Sequence, residues 1–466
     1  MKHKRWNRRR FLRFGLSTVA GGWMLPRIVA RRALASPGRP GANDALRIGL
    51  VGCGIRGKYL VGNLPPEGRV VAICDCYTPR MTGTLKPEPS STYARVLKDF
   101  VQQDAGGCTM YQDYRQMLDE AALDAVMIAT CDHHHVLAAM LACQAGLDVY
   151  CEKPLSLTID EGKKLVAAVR RYGRVLQVGS QQRSMEMDRF GCQFVREGRL
   201  GRVSHVDVPI WASPLKYQGL PSEAVPDGMD WDLFCGPTEL RAYNWRLWQK
   251  DERKWEGKNW RGWDMWRDYS GHLVTNWGAH AVDIVQWALG MDGSGPVEVG
   301  PLPAEDRVDS RVCPMVARYA NGIELRMNGA KGVGGGGIFY GEHGSIAVDR
   351  NRFRADPPDL ITDPPDPSLS EIWKGAGIVA RPHIQNWIDC IKSRSEPNAP
   401  VEVGHRTVTI CHLFNIAREL CRQIKWDPIR ELIVGDDEAS ALLDRPRRVG
   451  WELPSDDTCG KAGSDK

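Results

Sequence analysis

A short β-rich run, Leu46-Arg47-Ile48-Gly49-Leu50-Val51, leads directly into Gly52-Cys53-Gly54-Ile55-Arg56-Gly57. A helix-like stretch follows from Lys58 to Leu64, then a second apolar run, Arg69 to Cys74, closed by Asp75. Strand, G-x-G-x-x-G, helix, strand and acid in that order constrain the fold strongly. The first glycine makes a tight turn, the second lets backbone approach a pyrophosphate, and the third lets the helix pack on the strand. The anion then rests on the free N–H groups of the helix amino terminus. Asp75, 18 residues past Gly57, is placed to accept from a ribose hydroxyl pair and to repel a 2′-phosphate. NAD is therefore expected in preference to NADP, a preference tempered by nearby Arg80.

The alternation continues. Ala125–Thr130 and Asp148–Cys151 read as buried strands and Val175–Val178 as another, with helices over Val136–Gly146 and Thr158–Tyr172. Repeated strand and helix predict an α/β fold with a parallel, doubly wound sheet. Ligands on such sheets sit beyond the carboxyl ends of the strands. The Thr130–His135 loop and Glu152-Lys153-Pro154 lie at such ends.

The first 35 residues are unlike the rest. They hold ten of the 62 basic residues and none of the 57 acidic ones, so a chain of formal charge +5 has a body of −5. A mildly acidic body argues against nucleic acid as partner. Arginines at 8, 9 and 10 precede Phe11-Leu12, a weakly apolar stretch runs to Pro26, and Ala33-Leu34-Ala35 precedes Ser36. That order is expected of an export signal of twin-arginine type, cleaved after Ala35, which would carry the protein through the twin-arginine machinery to the periplasm. Residues 36–43 then read as a linker, 44–180 as the nucleotide domain, and 181–466 as a substrate-binding and oligomerisation domain. Most of the fourteen cysteines, such as Cys74, Cys143 and Cys411, sit in apolar patterns and read as small buried hydrophobes, so few or no disulfides are expected.

Several segments together resemble the glucose–fructose oxidoreductase/inositol dehydrogenase family (Gfo/Idh/MocA). They are the glycine motif, Ala129-Thr130…His135, Glu152-Lys153-Pro154, Gln177 to Arg183, and Gly278-Ala279-His280-x-x-Asp283. Phe339-Tyr340-Gly341-Glu342 and Pro400 to Arg406 resemble exported bacterial members. The resemblance implies a Rossmann domain followed by an α/β domain with a large open, mostly antiparallel sheet, which commonly mediates oligomers; a dimer or tetramer is expected. It carries over Lys153 and His280 as catalytic residues. Gly52, Gly54, Ile55, Arg56, Gly57, Asp75, Thr130, His135, Glu152, Lys153 and Gln181 become cofactor contacts, and Arg183, Trp277 and Asp283 become substrate contacts.

The residues themselves support this. A lysine after a buried strand and beside a nucleotide is partly desolvated, which lowers its pKa or makes it a strong donor. An imidazole suits proton exchange at neutral pH. Many family members have aspartate four residues before the histidine; here it is Asn276. Sharing a helix face with His280, it can orient a hydroxyl but cannot take its proton, so base work falls to His280 or Lys153. His133-His134-His135 invites a metal reading, but adjacent side chains in an extended turn diverge and no ligand framework accompanies them, so no metal is expected. His133 and His134 read as rim residues.

Ten of the sixteen tryptophans lie between Trp211 and Trp287, among Lys250, Arg253, Lys254, Arg261, Asp264 and Arg267. Aromatic faces with polar neighbours suit a sugar or polyol, with loop packing or a subunit interface as the rival. The sequence thus points to an NAD(P)-dependent oxidoreductase acting on a secondary carbinol of a carbohydrate or cyclitol, with tightly bound nucleotide. Two alternatives remain: a redox-neutral glycosidase or epimerase working by transient oxidation, and a non-catalytic sugar or nucleotide sensor.

Overall fold

The computed structural model describes residues 45–248, 262–302, 311–373 and 380–455. The export signal, the 36–43 linker, Trp255 and Trp260, and Lys250, Arg253, Lys254 and Arg261 lie outside the described residues.

Six strands form the first sheet: β1 Leu46–Val51, β2 Gly68–Cys74, β3 Thr109–Tyr111, β4 Ala125–Ile128, β5 Asp148–Cys151 and β6 Leu176–Val178. All pairings are parallel and the order is β3-β2-β1-β4-β5-β6. Every residue of β4 and β5 is buried, as expected of strands covered on both faces. The direction of strand addition reverses between β1 and β4, which opens a crevice at their carboxyl ends. The helices that frame the site are α1 Ile55–Gly62, α2 Asp132–Gln144, α3 Ile159–Arg171, α4 Glu186–Arg196, α5 His272–Asn276, α6 Gly278–Leu289, α7 Arg381–Ser393 and α8 Val401–Glu419. Helix α3 starts where the sequence places it, with the Thr158 hydroxyl accepting from the Glu161 N–H.

The second sheet has nine strands: β7 His205–Val208, β8 Glu298–Pro301, β9 Met315–Arg318, β10 Glu324–Met327, β11 Gly337–Gly341, β12 Gly344–Val348, β13 Phe353–Asp356, β14 Ile424–Asp427 and β15 Leu432–Ile433. Its order is β13-β12-β11-β7-β10-β9-β8-β14-β15, and only β7 and β10 run parallel. Burial alternates along β7 and β10, so one face is covered. Phe194 of α4, Val282 and Val285 of α6, and Leu413 and Phe414 of α8 join that face in one core.

Two differences from the sequence reading matter. Residues 181–466 are not segregated from the nucleotide domain: α7 returns to it, and Ile384, Trp387 and Ile388 pack in one cluster with Ile48, Leu50, Met127 and Tyr150. The histidine triple is also not an extended turn. It occupies the first turn of α2, which begins four residues earlier than expected. There Asp132 complements the helix dipole and Cys131 takes the extended cap conformation.

The thirteen described cysteines are free thiols, with Cys74, Cys143 and Cys411 buried. Among the described residues no helix is long and apolar enough to cross a membrane.

Candidate active site

The glycine motif occupies the turn between β1 and α1. Gly52 has φ +95°, and a Cβ there would lie 2.4 Å from the Ala129 carbonyl oxygen; one on Gly57 would lie 2.0 Å from that of Gly52. Both positions therefore exclude a side chain, whereas Gly54 faces open space within 4 Å, as close approach of a pyrophosphate needs. Asp75 is buried at the end of β2, its carboxylate accepting from the N–H groups of Cys53 (2.8 Å) and Tyr77 (2.9 Å). Oδ1 also accepts from the Cys76 thiol at 3.8 Å, and Oδ2 keeps a lone pair for a ribose hydroxyl. Gly54, Ile55, Arg56, Lys58, Asp75, Arg80 and Thr130 border a cavity of about 600 Å³. The buried Thr130 hydroxyl has no partner. The open Gly54, the paired carboxylate and this unsatisfied hydroxyl together fit a dinucleotide.

Arg56 ties the strand ends together. Its Nε donates to Glu152 Oε1 at 2.6 Å and its Nη2 to Gln181 Oε1 at 2.9 Å. His135 does similar work: Nδ1 lies 2.7 Å from the Pro154 carbonyl and Nε2 3.2 Å from that of Thr130, with burial lowering its pKa. His133 and His134 are not rim residues. They are buried, and their Nε2 atoms share the Phe234 carbonyl at 2.8 and 3.0 Å. Burial lowers the pKa of both, and the bond to the Phe234 carbonyl only partly offsets it.

Lys153 and Asn276 meet directly. Nζ donates to Asn276 Oδ1 at 2.9 Å and to its carbonyl at 3.1 Å. Burial lowers the Lys153 pKa to about 8, against the raising effect of Glu152 and Asp132; Arg56 and Arg350 lower it further. Asp132, which the sequence reading passed over, is buried at the start of α2 and accepts from the Ser270 hydroxyl at 2.7 Å. Burial raises its pKa to about 7, with Ser270 and Lys153 opposing. An acid at a strand's carboxyl end, beside the histidines, was its sequence signal.

His280 lies near the start of α6, and Trp277 separates α5 from α6, so Asn276 and His280 belong to consecutive helices rather than one face. The His280 ring has no hydrogen-bond partner among the described residues. Burial, then Arg350, Lys153 and Arg56, hold it well below its usual pKa, in the neutral form. Trp277 is 38% exposed and its ring centroid lies 6.3 Å from that of His280.

Arg183 and Asp283 are placed differently from the other expected contacts. They pair with each other at 2.8 Å, both buried, and the remaining Arg183 donors engage Asp292 at 2.7 and 2.9 Å. The pair fixes α6 behind His280 and leaves Asp283 Oδ2 buried without a partner. The aromatic-rich segment also differs from expectation. Trp231, Trp248 and Trp266 are buried in one cluster with Phe234 and Tyr269, so packing, not sugar stacking, accounts for them. Of that cluster's described tryptophans only Trp263 borders the nucleotide cavity, beside Phe234, Cys76 and Cys131.

A parallel sheet of dinucleotide-binding form, with Lys153 at a strand end and a neutral histidine nearby, fits a nucleotide-dependent oxidoreductase. Two family models match: "Oxidoreductase family, NAD-binding Rossmann fold" over residues 46–180, and "Oxidoreductase family, C-terminal alpha/beta domain" over 210–453. The chain belongs to the Gfo/Idh/MocA oxidoreductase family, whose members act on CH–OH groups. It is similar to inositol 2-dehydrogenase 2 of Saccharopolyspora erythraea, 26% identical over 320 residues, which covers 65% of this chain and 73% of the relative. Inositol 2-dehydrogenase of Salmonella typhimurium is 28% identical over 142 residues, 30% of this chain and 38% of that one. Among solved structures, the WlbA dehydrogenase from Bordetella pertussis, in complex with NADH and UDP-GlcNAcA, superposes with TM-score 0.56 at 19% identity, covering 83% of this chain and 99% of that one. An oxidoreductase from Agrobacterium radiobacter, in complex with NAD+, L-tartaric acid and magnesium, gives 0.52 at 15%, with 82% and 98% covered. At these identities the structural likeness speaks for the fold.

Proposed function

We propose that the protein oxidises a secondary carbinol of a sugar or cyclitol, using a nicotinamide nucleotide that stays bound. The observation that carries this is the Lys153 amine, buried at a strand end, held by two neutral acceptors of Asn276 and poised near neutrality beside the partnerless His280 ring. Neutral Lys153 takes the hydroxyl proton. Asn276 aims Nζ without supplying charge. His280, kept neutral, offers a ring nitrogen to the same carbinol. When bound, the nicotinamide supplies the hydride acceptor. Relatives named for inositol and levoglucosan support a cyclic polyhydroxy substrate.

The buried carboxylate of Asp75 favours NAD over NADP, because a 2′-phosphate beside it would be repelled. Retention is favoured by the aromatic segment that walls the cavity. The Thr78 N–H donates to the Gly228 carbonyl (2.9 Å) and that of Asp230 to the Cys76 carbonyl (2.8 Å), so backbone bonds hold this segment over the loop after β2. The same feature favours a second reading, a redox-neutral cycle in which one sugar is oxidised, altered and reduced again. Export by the twin-arginine route fits both, since little free nucleotide is available outside the cytoplasm. The uncovered face of the nine-stranded sheet favours assembly into a homo-oligomer.

The test is the nucleotide content of purified protein after extensive dialysis, read by mass spectrometry, alongside turnover of sugars with and without added nucleotide. Retained NAD and turnover without supplement are expected. Retained NADP would overturn the cofactor reading, and an empty protein that depends on excess free NAD would overturn retention.

A further inference from the structure

The turn joining β12 to β13 carries two successive non-glycine residues in the left-handed region, Arg350 (φ 51°) and Asn351 (φ 60°). L side chains avoid that region, so something must hold them there. Three buried side chains do. Gln182 Oε1 accepts from the Arg350 N–H at 3.0 Å, and its Nε2 donates to the carbonyls of Gly335 (2.6 Å) and His280 (3.2 Å). Asp188 accepts from the Asn351 N–H at 3.1 Å. Asp349 accepts from the N–H groups of Gly334 and Gly335 at 3.0 and 2.8 Å. The turn is thus wired through one amide to the backbone of His280.

This framework delivers a guanidinium to the site. Arg350 lies over the Trp277 ring at 4.9 Å from its centroid. A Cβ built on Gly335 would be 3.1 Å from Arg350 Nε and 3.3 Å from His280 Cβ, so cation and imidazole flank one glycine. Arg350 Nη1 is shut off from solvent and has no hydrogen-bond partner. The nearby acids do not neutralise it: Asp349 pairs with Arg352 at 3.2 Å, and burial pushes the Asp188 carboxyl strongly toward its protonated form. Arg56, the other guanidinium that acts on His280, is already engaged with Glu152. A partly desolvated guanidinium with one buried nitrogen lacking an acceptor is costly, and an anionic acceptor would offset that cost better than a neutral polyol.

We propose that Arg350 recognises the carboxylate of the substrate, and that the substrate class is the acidic sugars of uronate type. The inference rests on the sugar-oxidising reading above and names its substrate. A planar guanidinium fork matches the two oxygens of a carboxylate, and the half-exposed Trp277 beside it offers an apolar face to ring C–H groups.

The test is calorimetric binding to the nucleotide-loaded protein. D-glucuronate, D-galacturonate and D-mannuronate are each compared with the neutral hexose, and D-glucose 6-phosphate is included, for native protein, R350Q and R350K. At least one uronate should bind about tenfold or more tighter than its hexose; R350Q should abolish that advantage and R350K retain part of it. Nucleotide content and melting temperature should stay near native in both variants. Equal binding of every uronate and its hexose, no binding of any uronate, or an advantage that survives R350Q overturns the assignment. Preference for the phosphate overturns the carboxylate, and an R350Q that loses nucleotide instead assigns the guanidinium to the cofactor. Uronate binding through Arg350 without nucleotide reduction would support this inference while sinking the oxidation reading, so the two fail separately.

Discussion

Raising the pH through the range of the Lys153 amine should switch oxidation on. Burial lowers that pKa to about 8 from the ordinary 10.5. Two pH units below the pKa only roughly one amine in a hundred is neutral and at the pKa half are, so oxidation should rise about fiftyfold between about pH 6 and pH 8, about double again by roughly pH 9.5, and then level off. Reduction, which needs the ammonium as acid, should fall only by about half up to about pH 8 and about tenfold per pH unit well above it. His280 adds no inflection there, because burial and three neighbouring cations keep it neutral. Asp132 supplies the control. Its carboxylate raises the proton affinity of Lys153, so Asp132→Asn should move the inflection to lower pH, by about one unit. Since Asp132 itself titrates near 7, the native profile belongs to the pair rather than to either group. Single-turnover reduction of bound nucleotide, followed by its absorbance, isolates the proton-dependent step from product release. A flat profile, or an inflection that Asp132→Asn leaves in place, would refute Lys153 as the base.

Asn276→Asp should shift the same inflection upward by about one unit or more, because a carboxylate would replace a neutral acceptor 2.9 Å from Nζ; an unmoved profile would separate the two side chains functionally. Gly57→Ala should abolish nucleotide binding while far-ultraviolet circular dichroism stays native, since its Cβ would sit 2.0 Å from the Gly52 carbonyl oxygen and push α1 off the loop; native affinity would contradict that. Trp387→Ala should cost about 3 kcal/mol, the low end for a buried tryptophan because its indole N–H is already unpaired; a urea-unfolding loss below about 1 kcal/mol would show that α7 is not part of the nucleotide-domain core.

The nucleotide half was legible because its determinants are local. Strand β1 ends where the glycines begin, and Gly57 is set by the Gly52 carbonyl within the same turn, although Gly52 itself is set by Ala129 at the end of neighbouring β4. Parallel strands buried on both faces also announce themselves as continuous apolar runs, as at Ala125–Ile128. The first turn of α2 was misplaced for a local reason too. Three histidines after an aspartate look polar, yet all are buried, and His133 and His134 lie against Phe234, a partner about a hundred residues away that no periodicity reveals. The tryptophans failed in the same manner. Their spacing showed that they cluster, not whether sugar or each other's faces would cover them.

What the sequence could not convey is which charges remain uncancelled after folding. Arg183 and Arg350 are both arginines near motif residues, and only tertiary structure separates them. Arg183 finds two carboxylates and becomes a strut behind α6. Arg350 comes from the turn between β12 and β13, which carries no recognisable motif, and is held in an unfavourable backbone region by side chains from two other segments, Gln182 and Asp188. A buried ion pair can be replaced by apolar residues with little loss, whereas a buried cation left unpaired persists only if something outside the chain completes it. Asn276 sharpens the contrast. With a neutral acceptor where the family resemblance leads one to expect an acid, protonated Lys153 and Arg350 have no carboxylate between them at Asn276. An anionic sugar would meet Arg350 at one end and the Lys153 amine at its reacting hydroxyl. The departure at Asn276 and the unpaired guanidinium are then two parts of one electrostatic arrangement.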